Sequence, residues 1–99
     1  MTNEPGYYEN GAFGIRIENV MAVKPASPPN NFGNVGYLTF ETLTVVPIQS
    51  KLIDVALLTA DERAWVDRYH AWCRETLAPH LPPDSPAARW LQRWTQPLA

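Results

Sequence analysis

Two acids and the stretch between them carry the chemistry in this chain: Glu4 and Glu18, in the run Glu4-Pro5-Gly6-Tyr7-Tyr8-Glu9-Asn10-Gly11-Ala12-Phe13-Gly14-Ile15-Arg16-Ile17-Glu18. From Phe13 onward, apolar Phe13, Ile15 and Ile17 alternate with Gly14, Arg16 and Glu18. That is the period of a strand with one apolar face, and it puts Arg16 and Glu18 together on the other. Pro5-Gly6 has the composition of a type II turn and predicts a sharp bend just after Glu4, which then closes an extended segment. A fold-back of the loop as a hairpin brings the second carboxylate beside the first. Two carboxylates held in this way make half of a site for a hard divalent cation.

The elements that must hold these groups follow from the pattern on either side. Phe13 to Val23 reads as one strand with Phe13, Ile15, Ile17, Met21 and Val23 on a single face. Lys24 to Asn34 is rich in Pro, Asn and Gly and reads as a loop. Tyr37 to Val46, rich in Thr, Val and aromatic residues, returns as a strand ended by Pro47, and the loop is long enough for antiparallel pairing. Beyond a link from Ile48 to Leu57 the period changes to helical. Thr59-Ala60-Asp61-Glu62 has the form of a capping box, and Trp65, Val66, Tyr69, Trp72, Cys73, Thr76 and Leu77 form one broad stripe. A second helix starts with Ser85 as N-cap and Pro86 in the first turn, carries Ala87, Trp90, Leu91 and Trp94 on one face, and stops by Pro97. The fold class is α+β: antiparallel strands followed by two amphipathic helices.

The motif Glu4-Pro5-Gly6-Tyr7-Tyr8-Glu9, continued by Gly11-Ala12-Phe13-Gly14-Ile15-Arg16-Ile17-Glu18-Asn19, resembles the end of the catalytic domain of Xaa-Pro aminopeptidase (aminopeptidase P), a pita-bread metallopeptidase. Leu38-Thr39-Phe40-Glu41-Thr42-Leu43-Thr44-Val45-Val46-Pro47-Ile48 is similar to the start of that family's C-terminal extension, and it favours aminopeptidase P over prolidase or creatinase. The resemblance implies residues 1–36 as the end of the catalytic domain and 37–99 as the extension. It implies Glu4 and Glu18 as ligands of a two-ion site, usually manganese, Arg16 as a group orienting a ligating aspartate, and Tyr8 as lining the active site. It further implies a cytoplasmic homodimer acting on peptides with proline second. The two aspartates and the histidine that complete the family's ligand set have no counterpart here, so the 99-residue chain alone is expected to bind metal weakly and to be inactive. The alternative is a non-catalytic truncated chain that acts as an association module.

Composition excludes other classes. A formal net charge of -2 gives no basic footprint for nucleic acid. No apolar run nears the about 20 residues of a membrane span. The single cysteine, Cys73, cannot form an internal disulfide and sits in a helical stripe, where a small core residue is expected rather than a nucleophile. His70 and His80 lack ligand-type neighbours at metal spacing and are read as structural or exposed, Glu9 and Glu41 as surface acids.

Overall fold

The computed structural model describes residues 1–98 and divides into two compact units, Met1–Thr44 and the residues from Val45 onward. The first is all β: β1 (Thr2–Asn3), β2 (Gly6–Glu9), β3 (Phe13–Arg16), β4 (Asn19–Ala26) and β5 (Tyr37–Thr42). β2 and β3 form a two-stranded ribbon, and β1, β4 and β5 a three-stranded sheet in the order β1-β4-β5. All pairs are antiparallel, including β4 with β5, where Met21 faces Thr42 and Ala26 faces Tyr37.

Three expectations for this unit need correction. Pro5-Gly6 does not turn: Gly6 lies inside β2 with no positive φ, and Ile17 N–H donates to Pro5 O at 3.1 Å as in a ladder. The turn falls at the other end, where Ala12 N–H donates to Glu9 O at 3.1 Å and Gly11 supplies the positive φ of 69°. The strand foreseen over Phe13 to Val23 is divided at Ile17-Glu18 into β3 and β4. Pro5 is the physical reason, since it has no N–H to return to Ile17 and removes one rung opposite that point. β4 also runs on through Lys24-Pro25 to Ala26, into the expected loop, whereas β5 stops at Thr42, short of Val46. β1 faces only the start of β4, so one edge of β4 is free at Pro25 and a residue without a donor is tolerated.

The apolar side chains of the hairpin are not covered within this unit. Phe13, Ile15 and Ile17 are all exposed, Phe13 by 62%. The buried apolar residues, Val66, Tyr69, Cys73 and Leu91, all belong to the second unit.

That second unit opens with two short 3-10 turns, Ser50–Leu52 and Val55–Leu57, followed by α1 (Ala60–Leu77), a third such turn at Ala78–His80, and α2 (Pro86–Trp94). Both helix starts are as the sequence predicts. Glu62 N–H donates to Thr59 Oγ1 at 3.2 Å and Thr59 N–H donates to Glu62 Oε2 at 2.8 Å, a complete capping box. The Thr59 backbone N–H, followed by the Thr59 hydroxyl, holds the Glu62 carboxyl below its ordinary pKa. Ala88 N–H donates to Ser85 Oγ at 3.1 Å, with Pro86 in the first turn. Thr59→Ala is expected to lower the stability of this unit by about 1 kcal/mol, read from the denaturant midpoint at unchanged slope.

The buried face of α1 is rotated from the foreseen stripe. Val66, Tyr69, His70 and Cys73 are buried, while Trp65 and Trp72 lie on its margin and stay partly exposed. Tyr69 Oη donates to Val46 O at 2.7 Å, and Ile48 N–H donates to His70 Nε2 at 3.1 Å, so α1 fastens the incoming chain by two side chains. Arg74 Nη1 donates to both Thr95 O (2.6 Å) and Thr95 Oγ1 (3.0 Å), and Leu98 N–H donates to Asp67 Oδ1 at 2.7 Å.

His70 makes the stability of this unit depend on pH. Its Nε2 accepts a hydrogen bond, so the neutral ring carries its proton on Nδ1, which is buried without a partner. Burial is the largest cause and lowers its pKa below 6.5; the charge of Arg74 acts with it and the field of Asp67 against it. A histidine with a depressed folded pKa takes up its proton more readily when unfolded. Stability is therefore expected to fall as pH drops below 6.5, with a limiting slope of about 1.4 kcal/mol per pH unit for one proton. Denaturant melts at stepped pH should show this slope, and His70→Asn should remove it.

Candidate carboxylate metal site

Glu4 and Glu18 are placed opposite one another by an unbroken register. Thr2 faces Val20 and Asn3 faces Asn19 in one ladder; Gly6 faces Arg16 and Tyr8 faces Gly14 in the other. No residue is gained or lost between the ladders, so Pro5 faces Ile17 and Glu4 faces Glu18. Met1 and Met21 exchange both backbone bonds, at 3.0 and 2.8 Å, and Ile17 bonds to Pro5. In that alternation the Glu4–Glu18 pair falls at a non-hydrogen-bonded position, where facing side chains approach most closely.

Alternation then sorts the hairpin into two faces. One carries Thr2, Glu4, Gly6 and Tyr8 beside Gly14, Arg16, Glu18 and Val20; the other carries Pro5, Tyr7, Glu9, Phe13, Ile15 and Ile17. All four foreseen site residues lie on the first face. Arg16 Nε donates to Tyr8 Oη at 2.8 Å, and Arg16 Nη1 stands 3.8 Å from Glu4 Oε2. Thr2 Oγ1 donates to the other oxygen, Glu4 Oε1, at 2.7 Å. The bond to Tyr8 is the first cause that raises the pKa of Arg16, and the fields of Glu4 and Glu18 act in the same direction. Glu9 is on the opposite face, where it accepts from Tyr7 Oη, and it belongs to the surface as expected.

Like charges directly across a ladder repel, and one exposed ion pair offsets that only slightly, by about 0–1 kcal/mol. A pair of opposed carboxylates with a single arginine near one of them is therefore unfinished electrostatically. Their oxygens are hard donors of the kind taken by magnesium, calcium or manganese. Among the described residues no group of three or more His, Cys, Asp and Glu stands together to hold a metal. The pair fits part of a coordination shell and not a whole one.

Sequence reasoning missed three members of this face. Thr2 carried no signal beyond its type. Gly6 and Gly14 did carry one: they are the two side-chain-free positions next to Tyr8 in the alternation.

Residues 36–98 match the family model for the C-terminal region of peptidase M24. The chain belongs to the peptidase M24 family, as the C-terminal part found in aminopeptidase P. It is 52% identical over 98 residues to aminopeptidase P1 of Lotus japonicus, covering 99% of this chain and 15% of that protein. It is 50% identical over 99 residues to aminopeptidase P2 of Arabidopsis thaliana, covering 100% of this chain and 14% of that one. The crystal structure of X-prolyl aminopeptidase from Caenorhabditis elegans, described as a cytosolic enzyme with a di-nuclear active site, superposes with a TM-score of 0.82 at 34% identity, over 98% of this chain and 16% of that one. The chain thus spans about 15% of the length of the relative from Lotus. As an aminopeptidase P segment it has the expected α+β architecture, the C-terminal part of a pita-bread domain. No helix of the described residues is long and apolar enough to cross a membrane.

Proposed function

We propose that this chain supplies the Glu4 and Glu18 carboxylates to a dinuclear manganese site of an Xaa-Pro aminopeptidase, with residues 1–36 ending the catalytic domain and 37–99 forming the extension. The observation that supports this most is the unshifted register that sets the two acids face to face. Glu4 and Glu18 would hold part of the shell of two metal ions, which when bound would supply Lewis acidity and a water nucleophile active near neutral pH. The residues of this chain have separate tasks. Glu18 and Glu4 grip cations from opposite strands, Thr2 fixes one Glu4 oxygen, Arg16 orients acidic ligands, and Tyr8 walls the substrate side. The apolar face of the hairpin is the part that the remainder of the enzyme covers. The working enzyme is a cytoplasmic homodimer that releases the first residue from peptides with proline second.

Titration of the isolated 99-residue chain with manganese(II) chloride is expected to show weak binding only, and the chain to hydrolyse no Xaa-Pro peptide. Grafted in place of the matching segment of the nematode enzyme, it is expected to support hydrolysis. Hydrolysis by the isolated chain, or an inactive but folded graft, would falsify the assignment.

A second reading, an association module without catalysis, draws on the second unit. Trp65 stacks on Tyr69 with centroids 5.4 Å apart, Trp72 lies 5.9 Å from the same ring, and both tryptophans keep an exposed edge. Aromatic anchors of this kind dominate interfaces. Sedimentation of the isolated chain as a dimer that Trp65→Ala disperses would favour it.

A further inference from the structure

We propose that Gly6 and Gly14 are positioning residues: together they form a bed without side chains on which the Tyr8 ring lies, and through Tyr8 and Arg16 they set the Glu4 carboxylate. Neither glycine is needed for its backbone conformation, because neither has a positive φ. What both lack is room. A Cβ on Gly14 would stand 2.7 Å from Tyr8 Cδ1, and one on Gly6 would stand 2.8 Å from Tyr8 Cζ and collide with Tyr8 Oη. Gly14 is directly across the ladder from Tyr8, and Gly6 is two residues before it on the same face. The ring therefore starts over Gly14 and runs back along β2, delivering its hydroxyl above Gly6, towards Glu4. Gly6 faces Arg16, and there Nε donates to the phenol oxygen at 2.8 Å while the guanidinium carbon is 5.8 Å from the ring centroid. Held at that edge, Arg16 turns Nη1 to Glu4. Any side chain on the bed would lift the ring and free the arginine.

The role of Glu4 as a ligand rests on the reading under Proposed function, but the bed can be tested without metal. In NMR spectra of the full 99-residue chain, the α-protons of Gly6 and Gly14 are expected upfield of those of Gly36, where nothing but its chain neighbours comes within 4 Å of the Cβ position. Tyr8→Leu should return them to ordinary positions. Gly14→Ala should speed exchange of the Ile17 amide and of the Arg16 Nε–H and move the Glu4 carboxyl resonance. Combined with Tyr8→Ala it should instead slow exchange at Ile17, because alanine strengthens a strand interior once the ring is gone. Glycine shifts indifferent to Tyr8→Leu, or a Gly14→Ala effect of the same sign with and without the ring, would overturn the bed. Manganese(II) chloride is expected to broaden Glu4 and Glu18 in the wild type and less so in Gly14→Ala. Failure of that broadening, with the sign reversal intact, removes the ligand reading and the bed's role in placing a ligand, and leaves the packing of Tyr8 on the glycines standing.

Discussion

Glu18→Gln, made in the graft of this chain onto the nematode enzyme, is expected to lower Xaa-Pro hydrolysis by at least about 100-fold. Loss of a group that only supports a ligand costs 10- to 100-fold in metal affinity or activity, and loss of the ligand itself should exceed that. The amide keeps the shape of the carboxylate and removes its charge, so strand pairing is preserved and the change falls on cation binding. Arg16→Lys and Tyr8→Phe should cost less, within about 10- to 100-fold, because they act on the setting of Glu4 rather than on a donor atom. Glu9→Gln should cost nothing: Glu9 faces Phe13 on the other side of the hairpin, and serves as the control for charge alone. Metal content measured beside kcat/KM separates a lost ion from a misplaced one. Wild-type metal and activity in Glu18→Gln would sink the site.

How much of this could be read from the residues depended on whether the deciding contact was local. The capping box at Thr59 and Glu62 and the Ser85-Pro86 start were legible because every atom involved lies within one turn. The facing of Glu4 and Glu18 was legible in outline, since a hairpin between two acids needs only a turn and an alternating strand. The place of that turn was misread. Pro5-Gly6 is a turn by local preference, but cross-strand pairing and the need to leave space under Tyr8 hold it extended, and the bend falls at Gly11. No window of sequence contains that reason, because Gly14 and Tyr8 meet only across the ladder. The same holds for His70: its partner, Ile48 N–H, lies outside its helix, so burial could not be told from exposure in the helical period. Trp65 and Trp72 show the converse, large apolar residues on the expected stripe that end at its exposed margin.

Leu91→Ala is the substitution expected to damage the helical unit most, by about 2–5 kcal/mol. Leu91 is 2% exposed and is the one buried residue within α2. Truncation removes its transfer free energy and leaves a cavity. A helix of nine residues has little stability of its own and depends on the face it buries, so α2 has no reserve against that loss. The polar fastenings at its end do not compensate. Thr95 Oγ1 donates to Leu91 O at 2.7 Å while accepting from Arg74, a bond that presupposes a seated helix. Trp94, with Lys51 Nζ 5.0 Å from its ring, reports on release of α2. Tryptophan fluorescence, to which Trp94 contributes beside Trp65, Trp72 and Trp90, should shift at lower denaturant in Leu91→Ala, whereas Leu57→Ala, at a site 81% exposed, should change the midpoint little. Equal midpoints for the two variants would mean that α2 is held by its polar bonds, and the apolar account of this unit would have to be abandoned.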